Sequence, residues 1–128
     1  MYKIFLIIGT VLAGLSVVLG AFGAHGLRKL VNADTLAIYQ TGVQYQMYHA
    51  IALIVIGILA DRVAVNFSGY AAFFFISGIV LFSGSLYLIS SLRAMNRTVP
   101  SYINFITPVG GLLFILGWIM LLIAIARK

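Results

Sequence analysis

Cysteine is missing from this 128-residue chain, which excludes disulfides, thiolate catalysis and cysteine-ligated zinc and leaves the redox compartment unspecified. Acidic residues are scarce: Asp34 and Asp61 are the whole set. With neither placed at membrane depth beside the two histidines, a zinc or iron site, which takes three or four protein ligands, has no support, and no cofactor is implied. No serine has an evident base and orienting acid, so a hydrolytic triad is unsupported as well. Charge of any kind is thin, at 8% of residues against the roughly one quarter usual in soluble proteins. The eight basic residues sit in ones and twos at the edges of apolar runs; they mark membrane boundaries, not a phosphate-binding stripe, and nucleic acid is not an expected partner.

What fills the chain instead is apolar. Hydrophobic residues make up 63% and the mean hydropathy is +1.16, the composition of an integral membrane protein. The amino-terminal run is longer than the core of a signal peptide, so it reads as a retained span and not a cleaved leader. Four spans are expected, at about 4–24, 41–60, 70–92 and 105–126, within a single membrane domain covering 1–128. Each of the first, third and fourth supplies about 20 apolar residues, enough to cross a core of about 30 Å. The second is different. Its uninterrupted apolar stretch, Ala50 to Ala60, reaches only about 16 Å. The helix must borrow "QTGVQYQMYH", Gln40 to His49, which draws Gln44, Tyr45, Gln46, Tyr48 and His49 to membrane depth; a re-entrant stub is the alternative.

Short polar connections then imply an all-α, four-helix antiparallel bundle with a short amphipathic or irregular link between helices one and two. Asp34 is the expected N-cap of the helix leading into the second span. Both termini fall on one side, side A, with Lys3, Arg62, Arg127 and Lys128; Arg28, Lys29, Arg93 and Arg97 fall on side B. That balance gives the positive-inside rule nothing to choose between, and only the terminal amine leans the termini toward the cytoplasm.

Depth placement gathers the unusual residues in the side B half. Tyr45 and His49 should lie about 6 and 12 Å deep, at the level of "FSGSLY" (Phe82 to Tyr87) and "NFITPVGG" (Asn104 to Gly111). Thr41, Tyr45, Tyr48 and His49 share one helical face, and Ser83 and Tyr87 form an i,i+4 pair. A polar cluster or cavity opening toward side B is expected, built from His25, Gln44, Tyr45, Tyr48, His49, Ser83, Ser85, Tyr87 and Thr107, with His25 at its mouth. Tyr39, Tyr70 and Tyr102 read as aromatic-belt anchors. Ser77, Gly78, Gly84 and Ser85 read as packing residues. Pro108 is expected within the first turn of its helix, where a missing N–H costs little.

"LGAFGAHGL", Leu19 to Leu27, is not a dinucleotide fingerprint, since it follows no strand and lacks the required spacing. Its glycines end a small-residue stripe, Gly9, Ala13, Ser16, Gly20 and Gly23, suited to close helix packing within the chain or between chains. Gly26 is expected to turn the chain out of the first helix.

Four stretches together, "GAFGAHGL" (Gly20 to Leu27), "QYQMYH" (Gln44 to His49), "LFSGSLY" (Leu81 to Tyr87) and "TPVGGLLFILGW" (Thr107 to Trp118), resemble the DUF423 family. These are small four-helix proteins of bacteria also called UPF0382 and similar to eukaryotic transmembrane protein 256. The resemblance covers nearly the whole chain, the connection from Arg93 to Ile103 being longer and more polar than in many members. It implies a helical membrane bundle, with the bacterial plasma membrane as its first location and an organelle membrane second, and carries over no established activity. The residues favour a non-enzymatic protein that binds a small molecule or membrane lipid. The alternative is a structural or accessory subunit, associating with a second copy or another membrane protein through small-residue faces.

Overall fold

The computed structural model describes residues Tyr2 to Arg127; Lys128, the last member of the side A tally, lies outside the described residues. Four helical passes follow one another, each long and apolar enough to cross a membrane. The first is α1, Lys3–His25, leading into a 3-10 turn at Leu27–Lys29. The second is α2, Ala33–Leu59, whose 27 residues reach about 40 Å and accommodate the borrowed polar stretch without a re-entrant stub. The third comprises α3 (Val65–Gly78), a π-helical turn (Ile79–Ser83) and α4 (Gly84–Ala94) in unbroken succession, and the fourth is α5, Ile103–Arg127.

Facing residues show that neighbouring passes are antiparallel. Along α1, a Cβ on Gly9 would meet Ala50 and Ile54 of α2, one on Gly20 would meet Val43, and one on Gly23 would meet Tyr39. The glycines of the small-residue stripe thus form the floor on which α2 lies. Gly78 receives Phe114 and Gly117 receives Phe75 where the third and fourth passes meet, while Gly84 faces open space instead of a packing neighbour. Phe75, Leu53 and Ile56 are fully buried at the centre, with Phe114 beside them. Tyr2 N–H donates to Gly57 O, and Ala64 N–H donates to Ala124 O, which brings both chain ends to the end of the bundle that carries Arg62.

Three local expectations are corrected. Asn32, not Asp34, caps α2: its Oδ1 accepts the Thr35 N–H at 2.9 Å, leaving Asp34 exposed in the first turn. Gly26 is right-handed, at φ −79° and ψ −55°, and the chain leaves α1 by continuing into the 3-10 turn, with the exposed Phe22 ring lying over the glycine. Pro108 sits in the second turn of α5, deeper than the positions whose N–H groups lack intrahelical acceptors, so the carbonyl of Asn104 loses its helical donor.

Candidate functional site

One face of α2 organises the interior. Its buried residues Thr35, Tyr39, Gly42, Gln46, His49, Leu53 and Ile56 recur at alternating spacings of four and three, the pattern of a single packing seam along a helix. Gly42 has no side chain to separate it from the third pass, and Ser83 Oγ donates to its carbonyl at 2.7 Å. One turn on, Gln46 uses both ends of its amide: Oε1 accepts from Tyr87 Oη at 2.6 Å, and Nε2 donates to Leu12 O at 2.9 Å. That carbonyl also accepts Ser16 Oγ at 3.0 Å. Tyr39 closes the other end of the α1–α2 seam, donating to Leu19 O at 2.5 Å. Its ring is buried, which corrects its reading as a belt anchor; Tyr70 and Tyr102 stand exposed.

His49 is held in a single tautomer by its partners. An indole N–H can only donate, so the 3.0 Å contact from Trp118 Nε1 makes His49 Nε2 the acceptor. Nδ1 therefore carries the proton and donates to Tyr45 O at 2.6 Å. The imidazole is thus neutral, and it lies flat on Phe114, with ring centroids 3.6 Å apart and planes 8° from parallel. Phe75 flanks it at 5.3 Å. Both ring nitrogens are thus hydrogen-bonded within the protein.

The remaining expected site residues divide between this interior and the surface. Ser85 Oγ donates to Phe82 O at 2.8 Å and meets Thr107 Oγ1 at 2.6 Å, so Thr107 is the donor in a hydroxyl pair joining α4 to α5. Tyr45 is partly covered, its ring 4.8 Å from that of Phe82. Gln44 and Tyr48 face outward, Tyr48 at 55% exposure, so the face drawn through Thr41, Tyr45 and Tyr48 is not the one that faces the bundle. His49 belongs to both faces, which is why the two are hard to separate. His25 is exposed and satisfies Nδ1 on Ala21 O at 2.9 Å, outside the polar interior rather than at its mouth. Gln46, Tyr39 and Trp118 carry central bonds yet stood outside the expected set; the four-and-three spacing that continues through Gly42 is the signal that picks out the first two. Among the described residues no buried side-chain nitrogen or oxygen lacks a partner, so this interior is a closed network.

Open volume lies at the surface, in a wholly apolar groove of about 680 Å³ along Phe67, Tyr70, Phe73, Phe74 and Met120 in the side A half, and in two polar recesses at the side B rim. A cavity of about 340 Å³ is bounded by the start of α2 (Asn32, Thr35) and by the end of the third pass (Arg93, Asn96, Arg97). A second recess of about 380 Å³ adjoins His25, Arg28 and Lys29.

Comparison with known proteins places this architecture. The family described as "Protein of unknown function (DUF423)" matches residues 19–111. This chain belongs to the DUF423 family. The matched region takes in Tyr39, Gln46, His49, Ser83, Tyr87 and both arginines of the rim cavity. The UPF0382 membrane protein YwdK of Bacillus subtilis is 45% identical over 129 residues, covering 98% of each chain. The UPF0382 membrane protein SAB0533 of Staphylococcus aureus is 41% identical over 95% of this chain and 94% of its own, and SSP2132 of Staphylococcus saprophyticus is 43% identical over 94% and 95%. No solved structure matches the DUF423 chain.

Proposed function

We infer that this DUF423 protein is a non-enzymatic component of the bacterial plasma membrane, its termini cytoplasmic, which binds a lipid or small amphiphile at its side B rim. The observation that carries this reading is the contrast between a polar interior whose groups are all spent on one another and a rim cavity bordered by side chains with donors to spare. Interior hydroxyls and the neutral His49 lock four passes together; a ligand from one leaflet enters where the helices end. Native mass spectrometry of the full chain in mild detergent tests it. Retained lipid is expected on the wild type and on His49→Phe, and less on Val31→Trp, which fills the rim cavity. Absence of bound lipid on the wild type, or its loss only in His49→Phe, would overturn the assignment.

A second reading, a structural or accessory subunit, has one observation in its favour. α1 packs mainly on α2 and turns Ile7, Val11, Leu15, Val18 and Phe22 outward as an aliphatic ridge that lipid, a second copy or another membrane protein can cover. A photo-crosslinker at Val11 that captures protein in place of lipid would favour it.

A further inference from the structure

The rim cavity is lined by two arginines and two asparagines and by no acidic side chain. After α4 ends at Ala94, Asn96 adopts a left-handed conformation at φ 57°. Its N–H reaches Arg93 O at 3.1 Å, while the Arg97 N–H reaches back to Leu92 O at 2.8 Å. These two bonds form a Schellman closure, and asparagine bears the left-handed backbone better than most residues. Arg93 and Arg97 consequently extend from one locked turn, and both line the cavity. Arg93 is steadied by donating Nη1–H to Thr35 Oγ1 at 3.2 Å, which uses one of its five N–H donors. The guanidinium of Arg97 makes no hydrogen bond or ion pair among the described residues. Asp34 is exposed nearby in the first turn of α2, and Arg28 and Lys29 flank the adjoining recess.

We propose that this cavity is a binding site for a phosphate-bearing anion, gripped by Arg93 and Arg97, with the Asn32 and Asn96 amides as neutral donors. Guanidinium groups present paired N–H donors that match phosphate oxygens, and here two arginines line one recess at the helix ends, the level of lipid headgroups. The proposal rests on the rim-binding reading and adds the ligand's chemistry to it. A phospholipid headgroup and a free phosphate share that chemistry, and they differ in how they reach the site.

The test offers full-length protein in mild detergent an equal mixture of phosphatidylglycerol and phosphatidylcholine, read by native mass spectrometry, with thermal unfolding in inorganic phosphate run in parallel. Each basic side chain near an anionic surface contributes about a fivefold preference. Phosphatidylglycerol should therefore be retained over phosphatidylcholine by at least about fivefold, and Arg97→Gln should cut the preference about fivefold. Arg93→Gln/Arg97→Gln should abolish it; Arg62→Gln, at the opposite end, should leave it intact, and Asp34→Asn should raise it. Because Arg97 supports no other group, its variant keeps the fold, which the unfolding temperature verifies. Phosphate that stabilises the wild type and not Arg97→Gln, with no lipid preference, supports the site with a soluble anion as its occupant. If both lipids are retained alike and phosphate has no effect, or if the preference survives in the double variant, the anion assignment fails while rim lipid binding stands. If neither lipid is retained and phosphate has no effect, the rim-binding reading itself fails.

Discussion

Gln46 makes two interhelical hydrogen bonds, because a primary amide both donates and accepts and can face two helices at once. Through Oε1 it meets Tyr87 on the third pass, and through Nε2 it meets the backbone of α1 at Leu12. In hydrocarbon an unpaired phenol or amide has no water to turn to, so each single removal leaves the other partner exposed to the full cost of desolvation. Hydrogen bonds between membrane helices nonetheless average only about 0.6 kcal/mol in double-mutant cycles, with a maximum near 1.7, since the unfolded chain in a membrane finds partners too. A cycle of Gln46→Leu and Tyr87→Phe, measured by equilibrium unfolding in mixed detergent, should give a coupling of about 0.5–1.5 kcal/mol, with the double variant milder than the sum of the singles. Additive losses would mean that the two side chains do not depend on each other. The same residue shows where sequence reasoning stops: depth placement brought Gln44 and Gln46 into the membrane together, but periodicity through His49 allowed two registers. The bonds from Ser83 to Gly42 and from Tyr87 to Gln46 show that the register through Gly42 is the inward one, which turns Gln46 in and Gln44 out.

At the scale of elements, the crossing of the third and fourth passes depends on a glycine set over a backbone. A Cβ on Gly110 would lie 2.3 Å from Phe82 N and 2.7 Å from Phe82 Cα, whereas one on Gly111 would have its nearest neighbour at 3.8 Å. Phe82 belongs to the π-helical turn, whose wider backbone circuit stands where α5 makes its closest approach. Gly110→Ala forces two main chains apart and is expected to cost about 1–3 kcal/mol, the range of overpacked cores. Gly111→Ala should be neutral or stabilising by up to about 1 kcal/mol, from helix propensity. Equilibrium unfolding of the two variants side by side checks the contrast, and equal effects would count against the close crossing. The spans themselves were legible, since hydrocarbon thickness sets their length and apolar runs record it directly. The small-residue stripe on α1 was legible as a seam, but not its destination, because glycine looks the same to a partner within the chain and to one outside it. The π turn left no trace: it changes the hydrogen-bond ladder without altering the apolar composition that a membrane helix must keep.

For the whole molecule, the antiparallel arrangement turns a scattered set of charges into two opposed rims. Lys3, Arg62 and Arg127 share the end where Tyr2 meets Gly57 and Ala64 meets Ala124, while Arg28, Lys29, Arg93 and Arg97 occupy the other end. Insertion favours the orientation that keeps more lysine and arginine on the cytoplasmic side, and with the rims nearly equal a change of two charges should decide it. Arg28→Gln/Lys29→Gln weakens side B and should drive the termini into the cytoplasm; Lys3→Gln/Arg62→Gln weakens side A and should send them out. Carboxyl-terminal reporters active on opposite sides of the membrane read the result, and orientation unmoved by either pair would show that the rim charges do not set topology. The first pair spares Arg93 and Arg97, so lipid preference can be measured on the same variant. If that preference persists when Arg28 and Lys29 are gone, the two functions of the basic rim separate: the charges between α1 and α2 direct insertion, and those of the Schellman turn hold the anion.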